Sequence, residues 1–164
     1  MSHFTPEEEA AIASDPAMKI RMEIMSHSSD IRSKVLIANG FLELLANTII
    51  EAKCKNYKKI IQSPDVYTYA VKLTILNEIG AIDERDYIVL ERFRKIRNKA
   101  AHQAVFSEKD FYDGIGGKHK INPNMSLSTY IATLTSFIWN EHIDILGPKF
   151  MPNLFRIASG KEST

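Results

Sequence analysis

With 164 residues, 45% of them apolar, the chain has material for one hydrophobic core and little for a second. Twenty-one basic residues against 20 acidic ones leave a formal charge of +1, which excludes a generally cationic surface, so any nucleic-acid contact must come from locally concentrated charge. The single cysteine, Cys54, excludes an internal disulfide or a cysteine zinc cluster and points to a reducing, cytoplasmic setting.

The N-terminus, MSHFTPEEE, is acidic and polar where a signal peptide needs a basic start and an apolar run. No apolar stretch of about 18 residues stands out. Neither a leader nor a membrane span is expected.

Thr5-Pro6-Glu7-Glu8 combines a capping threonine, a proline at the first helical position and a glutamate able to reach back to the cap, so a short helix should start there. Asp15-Pro16 repeats the signal, and a second short helix should run to about Ser26. The polar cluster His27-Ser28-Ser29-Asp30 is a break. From Ile31 to Lys53, Val35, Ala38, Leu42, Leu45, Ile49 and Ala52 recur at helical spacing and predict one long amphipathic helix.

After the breaker Ser63-Pro64-Asp65, a helix from Val66 should end at Gly80, suited to a left-handed cap. Asp83 opens the next helix, with Val89, Phe93, Ile96 and Ala100 as its core stripe and its far end near His102. Residues 107 to 125, with Gly114, Gly116, Gly117 and Pro123, read as a loop holding at most a helical turn from Glu108 to Tyr112. Ser126 begins another long helix with Leu127, Ile131, Leu134, Ile138 and Ile145 on its stripe, ended by Gly147-Pro148. A short segment, 149 to 158, and a disordered polar tail, 159 to 164, complete a single domain over 1 to 164.

No period-two alternation and no internal repeat appear. The expected fold is all-α, an up-and-down bundle of four main helices with short helices at both ends.

The chemistry concentrates in RFRKIRNKAAHQ, residues 92 to 103, where Arg92, Arg94, Lys95, Arg97 and Lys99 place five cations in eight positions. Stepping about 100° per residue puts Arg97 on the flank of the core stripe, with Asn98 and His102 together on the opposite side. Arg97 and His102 are then separated by roughly 140° on a regular helix. They converge on one target only if the helix deforms after Ala100 or a second chain completes the site. The plainer alternative is a solvated cationic face, paired through Glu91 and Lys95, with Asn98 and His102 as helix-end groups.

Other arrangements carry less. No glutamate is followed three residues on by histidine, so a di-iron bundle lacks its ligands. His142 falls on the apolar stripe and reads as a hydrogen-bonded core histidine, while His3, His27 and His119 lie among polar residues. Gly114 to Lys118 resembles a phosphate loop only faintly, since His119 stands where Ser or Thr is needed and no strand precedes it. A DNA-reading helix-turn-helix centred on Gly80 would need an apolar residue where Asp86 stands, and its cations lie far from the second helix's start. No metal and no cofactor are expected.

The stretch RKIRNKAAH, with Arg97, Asn98 and His102 in an R-N-x-x-x-H arrangement, resembles the signature of the HEPN superfamily. The run VKLTILNEIGAIDERDYIVLERFRKIRNKAAH followed by AVFS resembles the branch containing the mannitol operon repressor family. The similarity covers roughly residues 30 to 112.

The resemblance implies a helical bundle forming a homodimer with both motifs facing a shared cleft. It also implies metal-independent RNA cleavage by attack of a ribose 2′-hydroxyl on the adjacent phosphate. His102 would be the general acid or base, Arg97 would stabilise phosphate charge, and Asn98 would orient His102 or the substrate. Arg94, Lys95 and Lys99 would track the RNA backbone. The repressor-like branch implies the alternative, a non-catalytic regulator working through a protein partner or at a promoter.

Overall fold

In the computed structural model, which describes residues 4–26, 30–115 and 126–160, the chain is all-α. Ten helices and no strand occur among the described residues. Helix α1 (Pro6–Ala13) begins with the expected capping box, Thr5 and Glu8 each taking the other's backbone N–H. Helix α2 (Pro16–Met25) follows Asp15, and α3 (Ile31–Lys53) starts on Asp30, whose carboxylate accepts from the Ser33 N–H at 2.8 Å.

Asp15 differs from its expected role. Its carboxylate makes no cap bond to α2 and instead accepts from the backbone N–H groups of Asn153 and Leu154 at 3.0 and 3.1 Å. These are the first free donors of α10 (Pro152–Ala158), where a negative charge meets the positive helix end. Asn153 Nδ2 adds bonds to Asp15 and to the Ala11 carbonyl, so a fully buried carboxylate ties the N-terminal helices to the C-terminal one.

Helix α3 is the central strut, packing against α2, against α4 (Tyr57–Gln62), α5 (Tyr69–Glu78) and α6 (Glu84–His102), and against α8 (Leu127–Glu141) and α9 (Ile143–Phe150). Val35, Ala38, Leu42, Leu45 and Ile49 are fully buried along it, and each large one contributes about 2 kcal/mol. Ala52, expected on the same stripe, is exposed in the last turn. By length and composition α3 is also apolar enough to cross a membrane, with mean hydropathy 1.4 over 18 residues, contrary to the sequence expectation. Here 56% of that window is buried inside the protein.

Further differences have local causes. Helix α4 was not expected. Helix α5 starts at Tyr69 and not Val66, because Thr68 takes the cap position and leaves Val66 exposed. Gly80 ends that region with φ +66°, and the Ala81 N–H reaches the Leu76 carbonyl at 2.8 Å. On α6 the buried positions are Asp86, Leu90, Phe93, Ile96 and Ala100, while Val89 is only half-buried. Helix α7 (Glu108–Gly114) is more than a turn, because Ser107 and Asp110 form a capping box and Phe111 is fully buried against Phe93 and Tyr130.

The helix starting at Ser126 breaks at His142, and Gly147-Pro148 lies inside α9 instead of ending a helix. Tertiary packing outweighs the local breaker: Phe150 is buried against Phe41 and Trp139, and Gly147 sits directly under the Phe155 ring. Gly116, Gly117, Lys118, Pro123, residues 161–164 and His3, His27 and His119 lie outside the described residues.

Candidate nucleic-acid interface

Helix α6 carries the motif. Asp83 caps its start, accepting from the Asp86 N–H at 2.7 Å, and the helix runs unbroken to His102. The deformation after Ala100 that would swing His102 toward Arg97 is therefore absent. The chain leaving the helix is pinned by Arg32 of α3, which donates to the Gln103 and Ala104 carbonyls at 2.8 and 2.9 Å. His102 is exposed at this fixed end.

Arg97 Nη1 donates to Asn98 Oδ1 at 3.2 Å, although the two residues are neighbours in sequence. Both line a cavity of about 390 Å³ between α3, α5 and α6, together with Arg94, Asn39, Glu43 and Tyr69. His102 does not line it. One chain thus brings Arg94, Arg97 and Asn98 together and leaves the imidazole outside, one turn beyond Asn98.

The five cations are not equivalent. Glu91 takes Arg94 through two bonds, at 2.8 and 3.0 Å, rather than pairing with Lys95. This hydrogen bond, with the Glu91 charge, raises the Arg94 pKa further. Lys99 faces α7, donating to Asp110 at 3.1 Å, and Arg92 donates to the Ile115 carbonyl at 3.3 Å. Lys95 is exposed. Among the described residues neither Arg97 nor Lys95 has a carboxylate ion pair, so no side-chain carboxylate there neutralises these two charges.

The cavity's other wall was not foreseen. Asn39 and Tyr69 are 3% and 8% exposed, yet Asn39 Oδ1 and Tyr69 Oη have no hydrogen-bond partner. Burial, chiefly, and then Glu43 and Glu91 push the Tyr69 phenol well above its ordinary pKa and hold it neutral. Glu43 pairs with the buried Lys72 at 3.4 Å. A signal did exist: Asn39, Glu43 and Asn47 recur every fourth residue through the apolar middle of the helix, making one polar seam.

His142 is a core histidine, donating from Nε2 to the Ala81 carbonyl at 2.6 Å. Beside it, the carboxylates of Asp83, Asp86 and Glu141 lie within 4.8 Å of one another. Burial and the two aspartates raise the Glu141 pKa, while Arg85 offsets the aspartates at 3.9 and 3.6 Å. The sequence offers no warning of this cluster, because only the fold brings the start of α6 beside the end of α8.

No protein-family model matches the chain, and neither a curated protein nor a solved structure matches it.

Proposed function

We propose that the chain is a HEPN-like RNA-binding protein that cleaves its strand without a metal ion. In this reading it works as a cytoplasmic homodimer of up-and-down helical bundles. The observation that supports it is one arrangement: Arg97, paired with no carboxylate among the described residues, bonded to Asn98 beside a polar cavity, with an exposed imidazole one turn on.

A guanidinium binds two phosphate oxygens at once and stabilises the charge that grows there as a phosphorane forms. His102, as the general base, takes the proton from a ribose 2′-hydroxyl. The freed oxygen bonds to phosphorus, the bond to the 5′ oxygen breaks, and the proton held by the imidazolium, returned through water, completes the departing hydroxyl. The products are a 2′,3′-cyclic phosphate and a 5′-hydroxyl. A second copy supplies the imidazole that Arg97 cannot reach within its own helix.

RNA incubated in EDTA under single-turnover conditions tests this. Arg97→Ala and His102→Ala should each slow cleavage at least about 100-fold without loss of helicity. Equal products from wild type and both variants, or none across structured and unstructured substrates, would contradict it.

The second reading is a non-catalytic regulator of the mannitol operon repressor type. It is favoured by the position of His102 outside the cavity. Its mark is RNA, promoter or partner binding that depends on Arg97 but not on His102, with no cleavage; absence of all three kinds of binding would remove it.

A further inference from the structure

Of the motif's five cations, Arg92, Arg94 and Lys99 are tied to groups of their own chain, which leaves Arg97 and Lys95 to meet a polyanion. Two charges are a weak hold on a strand at physiological salt, because affinity grows with the number of phosphates neutralised. A second cationic cluster lies elsewhere. Lys53, Lys55, Lys58 and Lys59 place four cations in seven positions across the junction of α3 and α4, with no acidic residue among them. We propose that this junction is a phosphate-tracking surface that holds the backbone of an RNA strand outside the cavity. The proposal rests on the RNA reading above and names where the rest of the strand lies.

All four lysines are exposed, and among the described residues none has a carboxylate partner. The acid that precedes them, Glu51, is taken by Lys149 of α9 at 3.2 Å, and the next one along the chain, Asp65, lies beyond the end of α4. The junction is compact. The Tyr57 N–H donates to the Cys54 carbonyl at 3.3 Å, and the Lys59 N–H to the Asn56 carbonyl at 3.1 Å, so the chain turns sharply between the two helices. Ile60 is buried, with Tyr57 and Ile61 packed on the core beside it. At about 100° per residue this leaves Lys58 and Lys59 on the outer side of α4.

Helix electrostatics account for only part of the cluster. Lys53, in the last turn of α3, meets a negative helix end and stabilises it. Lys58 is the second residue of α4, at a positive helix end where a cation is unfavourable. Its charge costs the fold and serves a ligand. A lipid surface would call for exposed apolar side chains among the cations, but the exposed residues from 53 to 59 are the lysines and Asn56, which suits phosphates.

The surface is joined to the cavity by a short length of chain. Ser63 closes α4, and its carbonyl takes the Val66 and Tyr67 N–H groups at 3.1 and 2.9 Å, so the turn that lines the cavity with Pro64, Tyr67 and Thr68 begins where α4 stops. From Lys59 to Pro64 the backbone spans at most about 12 Å. A strand leaving the cavity past Pro64 meets these lysines.

Binding of a labelled uridine strand of about 12 nucleotides, followed by fluorescence anisotropy over a range of salt, tests this. Each phosphate contact on a single strand contributes about 0.7 to the slope of log affinity against log salt. Lys58→Gln with Lys59→Gln should lower the slope's magnitude by about 1.4, and substitution of all four lysines should lower it by about twice that. Lys19→Gln with Arg21→Gln, which removes the same charge from α2, should leave it unchanged. Lys58→Gln should melt at or above the wild-type temperature, and a lower one, which would mean that its charge serves the helix, would count against the surface.

Equal slopes for wild type, the α4 pair and the α2 pair overturn the surface and leave the RNA reading standing. A wild type that ignores RNA but binds vesicles rich in an anionic lipid, with loss in the α4 pair, makes the junction a membrane contact and overturns both. Binding of neither also overturns both.

Discussion

Lys99 and Asp110 show how a residue's role is decided by which element faces it. Lys99 belongs by sequence to the cationic run, yet it leans onto α7, where Asp110 also closes a capping box with Ser107. The Ser107 hydroxyl bond, then the Ser107 N–H and Lys99, hold the Asp110 carboxyl down to about 2 from an ordinary 3.8. A carboxylate depressed on folding adds stability above its unfolded pKa and loses it as pH falls through the folded one. Asp110→Asn should therefore melt below wild type at pH 7, and the difference should shrink between pH 4 and pH 2, followed by thermal melts across that window. A difference that persists unchanged at pH 2 would show that its charge contributes nothing. The motif residues themselves were legible as chemistry: Arg97, Asn98 and His102 stood out by type and spacing. What could not be read was their company, because Asn39 and Tyr69 come from helices distant in sequence and line the cavity only after packing brings them to α6.

At the scale of the element, most starts were readable because a cap is a local event: Thr5, Asp30, Asp83 and Ser126 each bond a backbone N–H two or three residues into the helix that follows. The ends at Lys53, Gly80 and His102 were legible as well, but breaks decided by packing were not. Gly147-Pro148 has the composition of a stop, but burial of Phe150 on Phe41 carries the helix through it. Gly147 is instead required for contact, since a Cβ there would overlap the Phe155 ring. Gly147→Ala should cost about 2 kcal/mol by pushing the ring and α10 outward, measured by urea denaturation. A cost near zero would mean that α10 repacks freely. The Asp15 carboxylate is the same lesson in another form: a residue placed to cap α2 bonds α10, because its partners were invisible until the chain ends met.

At the scale of the molecule, the all-α class followed from helical periodicity throughout and was legible early. The proposed cleavage depends on geometry between copies. Helix α6 stays regular to His102, so Arg97 and the imidazole of the same chain keep their angular separation of roughly 140°. Cleavage at a composite site requires a homodimer in which one copy's Arg97 meets the other's His102. Mixing purified Arg97→Ala with His102→Ala protein, each inactive alone, tests this most directly. Random exchange makes half the dimers mixed, each with one intact site of two, so RNA cleavage should return to about a quarter of the wild-type rate. No recovery after subunit exchange has been verified would contradict the composite site.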